Sequence, residues 1–123
     1  MSVLDPTRSS AALGAERDPA HVLYDHASEV LFAAQGLRAA ASLEGAEPAI
    51  AATFGCLESS VDALAQAIEA LTRRTVAQVD ADDEATMRLA LQGQDASHLL
   101  RVARDVLGTI RDRVGALPAG VDE

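Results

Sequence analysis

The longest regular pattern in the chain is the stretch Ile50–Leu71. Its large apolar residues, Ile50, Phe54, Leu57, Val61, Leu64, Ile68 and Leu71, alternate in steps of four and three. That spacing predicts an amphipathic helix with one narrow apolar seam. Two further segments repeat the pattern. Leu23, Ala27, Val30, Ala34, Leu37 and Ala41 form a stripe with Leu31 widening it. Met87, Leu91, His98, Val102 and Val106 lie near one face of the last segment, broadened by Leu99, Leu100, Leu107, Ile110 and Val114.

Punctuation sets the expected helix ends. Asp18-Pro19 is a start signal, because Asp accepts bonds from free N–H groups and Pro fits the first helical position. Gly45 and Pro48 close that helix and open the next, expected from about 48 to 79. Gly55 within it marks a kink or a close helix contact, and Glu69 and Arg73 stand i,i+4 in the favourable order. Gln78–Thr86 reads as a turn plus cap, with Asp80 or Asp82 capping the third helix. Asp83 and Glu84 then favour the positive end of its dipole. The third helix is expected over roughly 83–116, with Gln92–Asp95 breaking its stripe and Gly93 loosening it. No strand pattern and no internal repeat is visible.

The fold class expected is therefore all-α, an antiparallel three-helix bundle with long second and third helices. Residues 1–17 lack periodicity and read as a flexible N-terminal arm, with a helical turn near Ala11–Leu13. Residues 18–117 form the bundle, and 118–123 form a short acidic tail. The first helix is shorter than the other two, so a second copy or another helical protein is expected to cover part of the long pair.

Composition narrows what such a bundle does. Of 123 residues, 49% are hydrophobic but only 2% aromatic, with no Trp. The core is consequently thin and Ala-rich, gaining little area per residue. Net charge is -9, and every cation is Arg. The absence of Lys and Asn fits a high-GC bacterium. The acidic balance argues against nucleic-acid and anionic-membrane partners. A lone Cys56 excludes an internal disulfide. No Sec-type signal pattern and no membrane-length apolar run is present. The expected location is cytoplasmic, or exported without a Sec signal peptide.

Candidate chemistry is sparse. Asp95 and His98 form a single D-x-x-H, where di-metal bundles need two such pairs and further carboxylates. His21 with Asp25 is an i,i+4 pair on the exposed side of the first helix, and Cys56 has no partner ligands. Cys56 beside Phe54 and Leu57 reads as inert, and Ser59 and Ser60 lack an activating context. Glu58 and Asp62 read as a solvated face. No catalytic, cofactor or metal residues are assigned, and the chain is expected not to be an enzyme.

Two resemblances bear on function. "HLLRVA" (His98–Ala103) resembles the phosphoacceptor segment H-x-L-K-G-x-A/S of histidine phosphotransfer domains. His98, Leu100 and Arg101 match in type, and Val102 stands where that family has Gly. The resemblance implies His98 as phosphoacceptor, although its place on the apolar stripe favours burial. From about residue 20 to 91 the layout resembles the small helical proteins of type VII (ESX, WXG100-like) secretion systems. These are Ala-rich, acidic hairpins that pair as homo- or heterodimers. "TFG" (Thr53–Gly55) corresponds to their W-x-G turn motif. "VDADD" (Val79–Asp83) corresponds to Y-x-x-x-D/E, with Val79 for Tyr. The resemblance implies a non-enzymatic protein–protein interaction module. Its partner-facing or core residues are those of the Ile50–Leu71 seam.

Overall fold

In a computed structural model the described residues are 18–79 and 83–118. The arm 1–17, the capping candidates Asp80 and Asp82, and all of the tail beyond Pro118 lie outside them. The fold class is all-α. Among the described residues three long helices follow in order: α1 (Pro19–Ala40), α2 (Ile50–Ala77) and α3 (Glu84–Gly115). A single 3-10 turn, Glu47–Ala49, precedes α2. No strand occurs among the described residues. The helices are 22, 28 and 32 residues long, so the second and third are the longer pair, as their patterns require. The chain divides into two compact units between Glu44 and Gly45.

In the first unit, α1 begins where the sequence places it. Asp18 accepts a bond from the Ala20 N–H at 3.0 Å, and Pro19 occupies the first turn. Arg38 lies in the last turn, near the negative end of the helix dipole. No residue of α1 is buried, and Tyr24 and Phe32 are exposed.

The second unit is a helical hairpin. Gly45 leads into it with φ of 86°, a left-handed conformation that a Cβ disfavours. Asp83 caps α3 by accepting from the Ala85 N–H at 3.3 Å. The cap falls there because Glu84 is already helical, and an N-cap immediately precedes the first helical residue.

α2 and α3 pack along their length. Thr72 meets Gly93, Glu69 meets Arg101, Asp62 meets Arg104 and Glu58 meets Gly108. One index falls as the other rises, so the helices are antiparallel.

The seam between them is made of small residues rather than large ones. Ala65 on α2 and Thr86, Ser97 and Gly108 on α3 are the buried positions of the two helices. Ser97 Oγ donates to the Gln94 carbonyl at 3.1 Å, satisfying its own hydroxyl. Gly93 does not loosen α3, which runs through it unbroken. A Cβ there would stand 2.9 Å from the Thr72 Cβ, so Gly93 is a point of close helix approach. Gly55 likewise produces no helix break, and a Cβ on it would meet Arg111 at an ordinary 3.5 Å.

Candidate interaction face

Residues of an α-helix advance by about 100° each, at 3.6 per turn. On α2, Val61, Ile68, Leu57, Leu64 and Leu71 therefore fall to one side of the buried Ala65. Glu58, Asp62 and Glu69 fall to the other. On α3, Leu100, Leu107, Ala103 and Ile110 fall to one side of Ser97, Arg101 and Gly108 fall to the other, and Leu99 and Val106 lie nearly opposite it. Because the helices are antiparallel, the two apolar sides lie on the same face of the hairpin. The hairpin thus has an apolar face and an ionic face.

The apolar face is only partly covered. Phe54, Leu57, Val61, Leu64 and Ile68 are half-buried, as are Leu100, Leu107, Ile110 and Val114. Ile50 and Leu71, at the ends of the sequence seam, are 38% and 40% exposed. At the outer edge of α3, Leu99 is 66% and Val106 53% exposed. The expected α3 stripe is displaced more strongly. Met87, Leu91, His98 and Val102 are all exposed. They lie on the side of α3 turned from α2, because the close seam selects the small residues Gly93, Ser97 and Gly108.

The ionic face is a ladder of three cross-helix pairs. Arg101 holds Glu69 with two hydrogen bonds, one of 3.0 Å from Nη2 to Oε1. Arg104 holds Asp62, and Arg111 holds Glu58. Adjacent acids brace the arginines: Arg104 Nε donates to Asp105 at 3.0 Å and Arg111 Nε to Asp112 at 3.1 Å. Gln66 donates to the second Asp62 oxygen at 2.9 Å. Hydrogen bonding from Arg104 holds the Asp62 carboxyl below its ordinary range against partial desolvation, and Arg101 does the same for Glu69. The same bonds, donated to Glu69 and Asp62, raise Arg101 and Arg104.

This ladder corrects two expectations. Glu58 and Asp62 are not a free solvated face, and Glu69 pairs across the seam rather than with Arg73 in its own helix. Glu69 and Arg101 are both half-buried beside the seam and meet through two hydrogen bonds, whereas Arg73 is exposed. The sequence did hold a signal. Glu58, Asp62 and Glu69 each directly follow a seam residue, and Arg101 and Arg111 directly follow Leu100 and Ile110. Glu58 follows a d residue and takes the e position that flanks a heptad seam, whereas Asp62 and Glu69 follow a residues and take b, so the signal covered one of the three pairs.

The remaining candidates are dispersed. His98 is exposed rather than buried in the stripe, and Cys56 is exposed on α2. His26 pairs with Glu29 within α1, 3.1 Å apart. Among the described residues no three His, Cys, Asp or Glu side chains gather as a metal ion would need. No described helix is long and apolar enough to cross a membrane. Thr53–Gly55 lies in the first turns of α2, with Thr53 Oγ1 donating to the Ala49 carbonyl at 2.7 Å. Val79 follows α2, and Asp83 caps α3. No protein-family model, no curated protein and no solved structure matches this chain.

Proposed function

We propose that the chain is a non-enzymatic helical interaction module that binds a protein partner through the apolar face of its α2–α3 hairpin. One observation carries this reading: the side of the hairpin opposite the ion-pair ladder presents leucine, isoleucine and valine at helical spacing, half-buried or exposed. An amphipathic helix gains its stability by burying its apolar stripe. The hairpin's own seam supplies only Ala65 as a buried apolar residue, so most of the stripe still has area to bury. Within this class, the type VII secretion-like layout is the sharper reading, with the chain as one member of a secreted or chaperoned pair.

Site-specific photocrosslinking in the source cells tests the module. A crosslinker at Ala103 or Leu64 is expected to trap a protein, and one at Leu91, on the outward side of α3, is expected to trap none. Equal trapping at all three positions, or none at any, removes the reading.

Exposure of His98 favours a second reading, a phosphotransfer module. A phosphoacceptor histidine must be reachable by its donor. Acid-labile phosphate is then expected on the full chain incubated with a small phosphoramidate donor, and is expected to vanish in His98→Gln. A wild-type chain that takes up no phosphate rejects it.

A further inference from the structure

We infer that the α2–α3 hairpin carries, toward its turn, a binding site for a short aliphatic carboxylate, with Arg73 as the anion-binding residue. The site lies on the ionic side, away from the apolar face, so it stands independently of the interaction reading above.

The site begins with what the ladder leaves over. Glu69 has an i,i+4 neighbour in Arg73, but Arg101 takes both oxygens of its carboxylate. Arg73 is left exposed, with no hydrogen bond or ion pair among the described residues. Thr72 meets Gly93 across the seam, so in this antiparallel register Gln94 comes level with Arg73. A neutral carboxamide stands where a fourth rung would need an acid.

Arg73 and Gln94 line an open cleft of about 720 Å³, together with Thr72, Val76, Ala77 and Ala90. That volume falls within the roughly 300–1,000 Å³ of small-molecule sites. Its walls are successive turns of two helices: Thr72 and Val76 on α2, Ala90 and Gln94 on α3. Past the close contact at Gly93, the short side chains of Val76, Ala77 and Ala90 leave the space between the helices unfilled. Val76 and Ala90 are half-buried, which makes the floor apolar.

The polar groups select the ligand's charge. A guanidinium presents its N–H groups as a planar fork that matches the two oxygens of a carboxylate. The Gln94 carboxamide and the Thr72 hydroxyl add neutral donors. Glu69 also lines the cleft, and Arg101 answers its charge. Arg73 is therefore one cation in excess, which suits a monoanion. A dianion such as phosphate would keep an unanswered charge against an apolar floor. The chain's net charge of -9 opposes anions at long range. Screening over ~8 Å at physiological salt limits that opposition to groups near the site. The apolar floor adds the second requirement, a short aliphatic body on the acid.

Amide NMR of the full chain at neutral pH, titrated with sodium isovalerate at constant ionic strength, tests this. Saturable shifts are expected at residues 72–77 and 90–94 and at the Gln94 side-chain amide. Isovaleramide, similar in shape but uncharged, is expected to shift none of them. Arg73→Gln is expected to weaken isovalerate about tenfold or more, the effect of losing a charge-assisted hydrogen bond. Arg73 is exposed and unbonded, so its replacement leaves the hairpin intact, which circular dichroism checks. Arg74→Gln removes an equally exposed cation turned about 100° away on α2, and is expected to leave binding unchanged. N-acetyl-leucine separates two sources of the same chemistry. Tighter binding than isovalerate assigns the site to the C-terminal residue of a peptide, and weaker binding assigns it to a free acid. Absence of shifts with both acids overturns the inference. So do equal shifts with isovaleramide, which would mean an apolar groove alone. Equal loss in Arg73→Gln and Arg74→Gln would mean general attraction of anions, and overturns it as well. None of these failures touches the apolar face, whose crosslinking test stands apart.

Discussion

Gly93→Leu is expected to lower the thermal midpoint of the hairpin by more than about 10 °C, the shift that ~3 kcal/mol produces in a unit of this size. Even a methyl group at Gly93 would intrude on Thr72, with its Cβ 2.9 Å from the Thr72 Cβ. That atom is fixed to the α2 backbone, so no change of rotamer relieves the clash and the helices must separate. Overpacking of this kind costs about 1–3 kcal/mol, and more for larger side chains. Against it stands helix propensity, where Gly to Ala gains ~1 kcal/mol. Gly93→Ala is therefore expected to come out near neutral to mildly destabilising, with Leu decisively worse. Gly36 on α1 supplies the comparison. No atom lies within 4 Å of a Cβ built there, so only the propensity gain remains and Gly36→Ala is expected to increase helicity. Thr72→Gly in the Gly93→Ala background should recover part of the lost close approach. A Gly93→Leu chain with an unchanged midpoint would show that α2 and α3 do not touch here.

The sequence made the helices legible but not the surface by which they touch. Asp18-Pro19, Gly45 and Pro48 act through local chemistry: a side-chain oxygen, a missing N–H, a left-handed φ. Such effects need no knowledge of a neighbour, and the ends of α1 and the start of α2 follow from them. The contact surface depends on distance between helices, which apolar periodicity does not report. Reading large residues as the seam points to Met87, Leu91 and His98 on α3, all exposed. Close approach instead favours Gly93, Ser97 and Gly108, which a hydrophobicity pattern passes over as breaks. The Ile50–Leu71 seam falls between these cases. It marks one flank of the contact, and its half-burial follows from lying beside Ala65 rather than on it.

Reversing the ladder should invert the pH response of the hairpin. In the wild type, Asp62 and Glu69 are held below the ordinary carboxylate range by their arginine partners. A carboxyl depressed on folding contributes stability above its unfolded value of about 4, and that contribution is lost as pH falls through the folded value. The wild-type midpoint is thus expected to be flat near neutrality and to fall below about pH 4. Now let Arg101, Arg104 and Arg111 all become Glu. Each new carboxylate faces Glu69, Asp62 or Glu58, and like charges at contact raise carboxyl pKa values. The small-residue seam offers little apolar burial to offset that repulsion, since Ala65 is the only buried apolar side chain among the described residues. The triple variant is expected to lose its cooperative unfolding transition at pH 7 and to regain it on acidification, where the wild type weakens. Adding Glu58→Arg, Asp62→Arg and Glu69→Arg rebuilds three pairs with exchanged signs and should restore folding at neutral pH. Thermal melts followed by circular dichroism across the acid range distinguish these outcomes. A triple variant that melts like the wild type at pH 7 would mean that the small-residue contacts alone hold the hairpin, with the ion pairs incidental to its alignment.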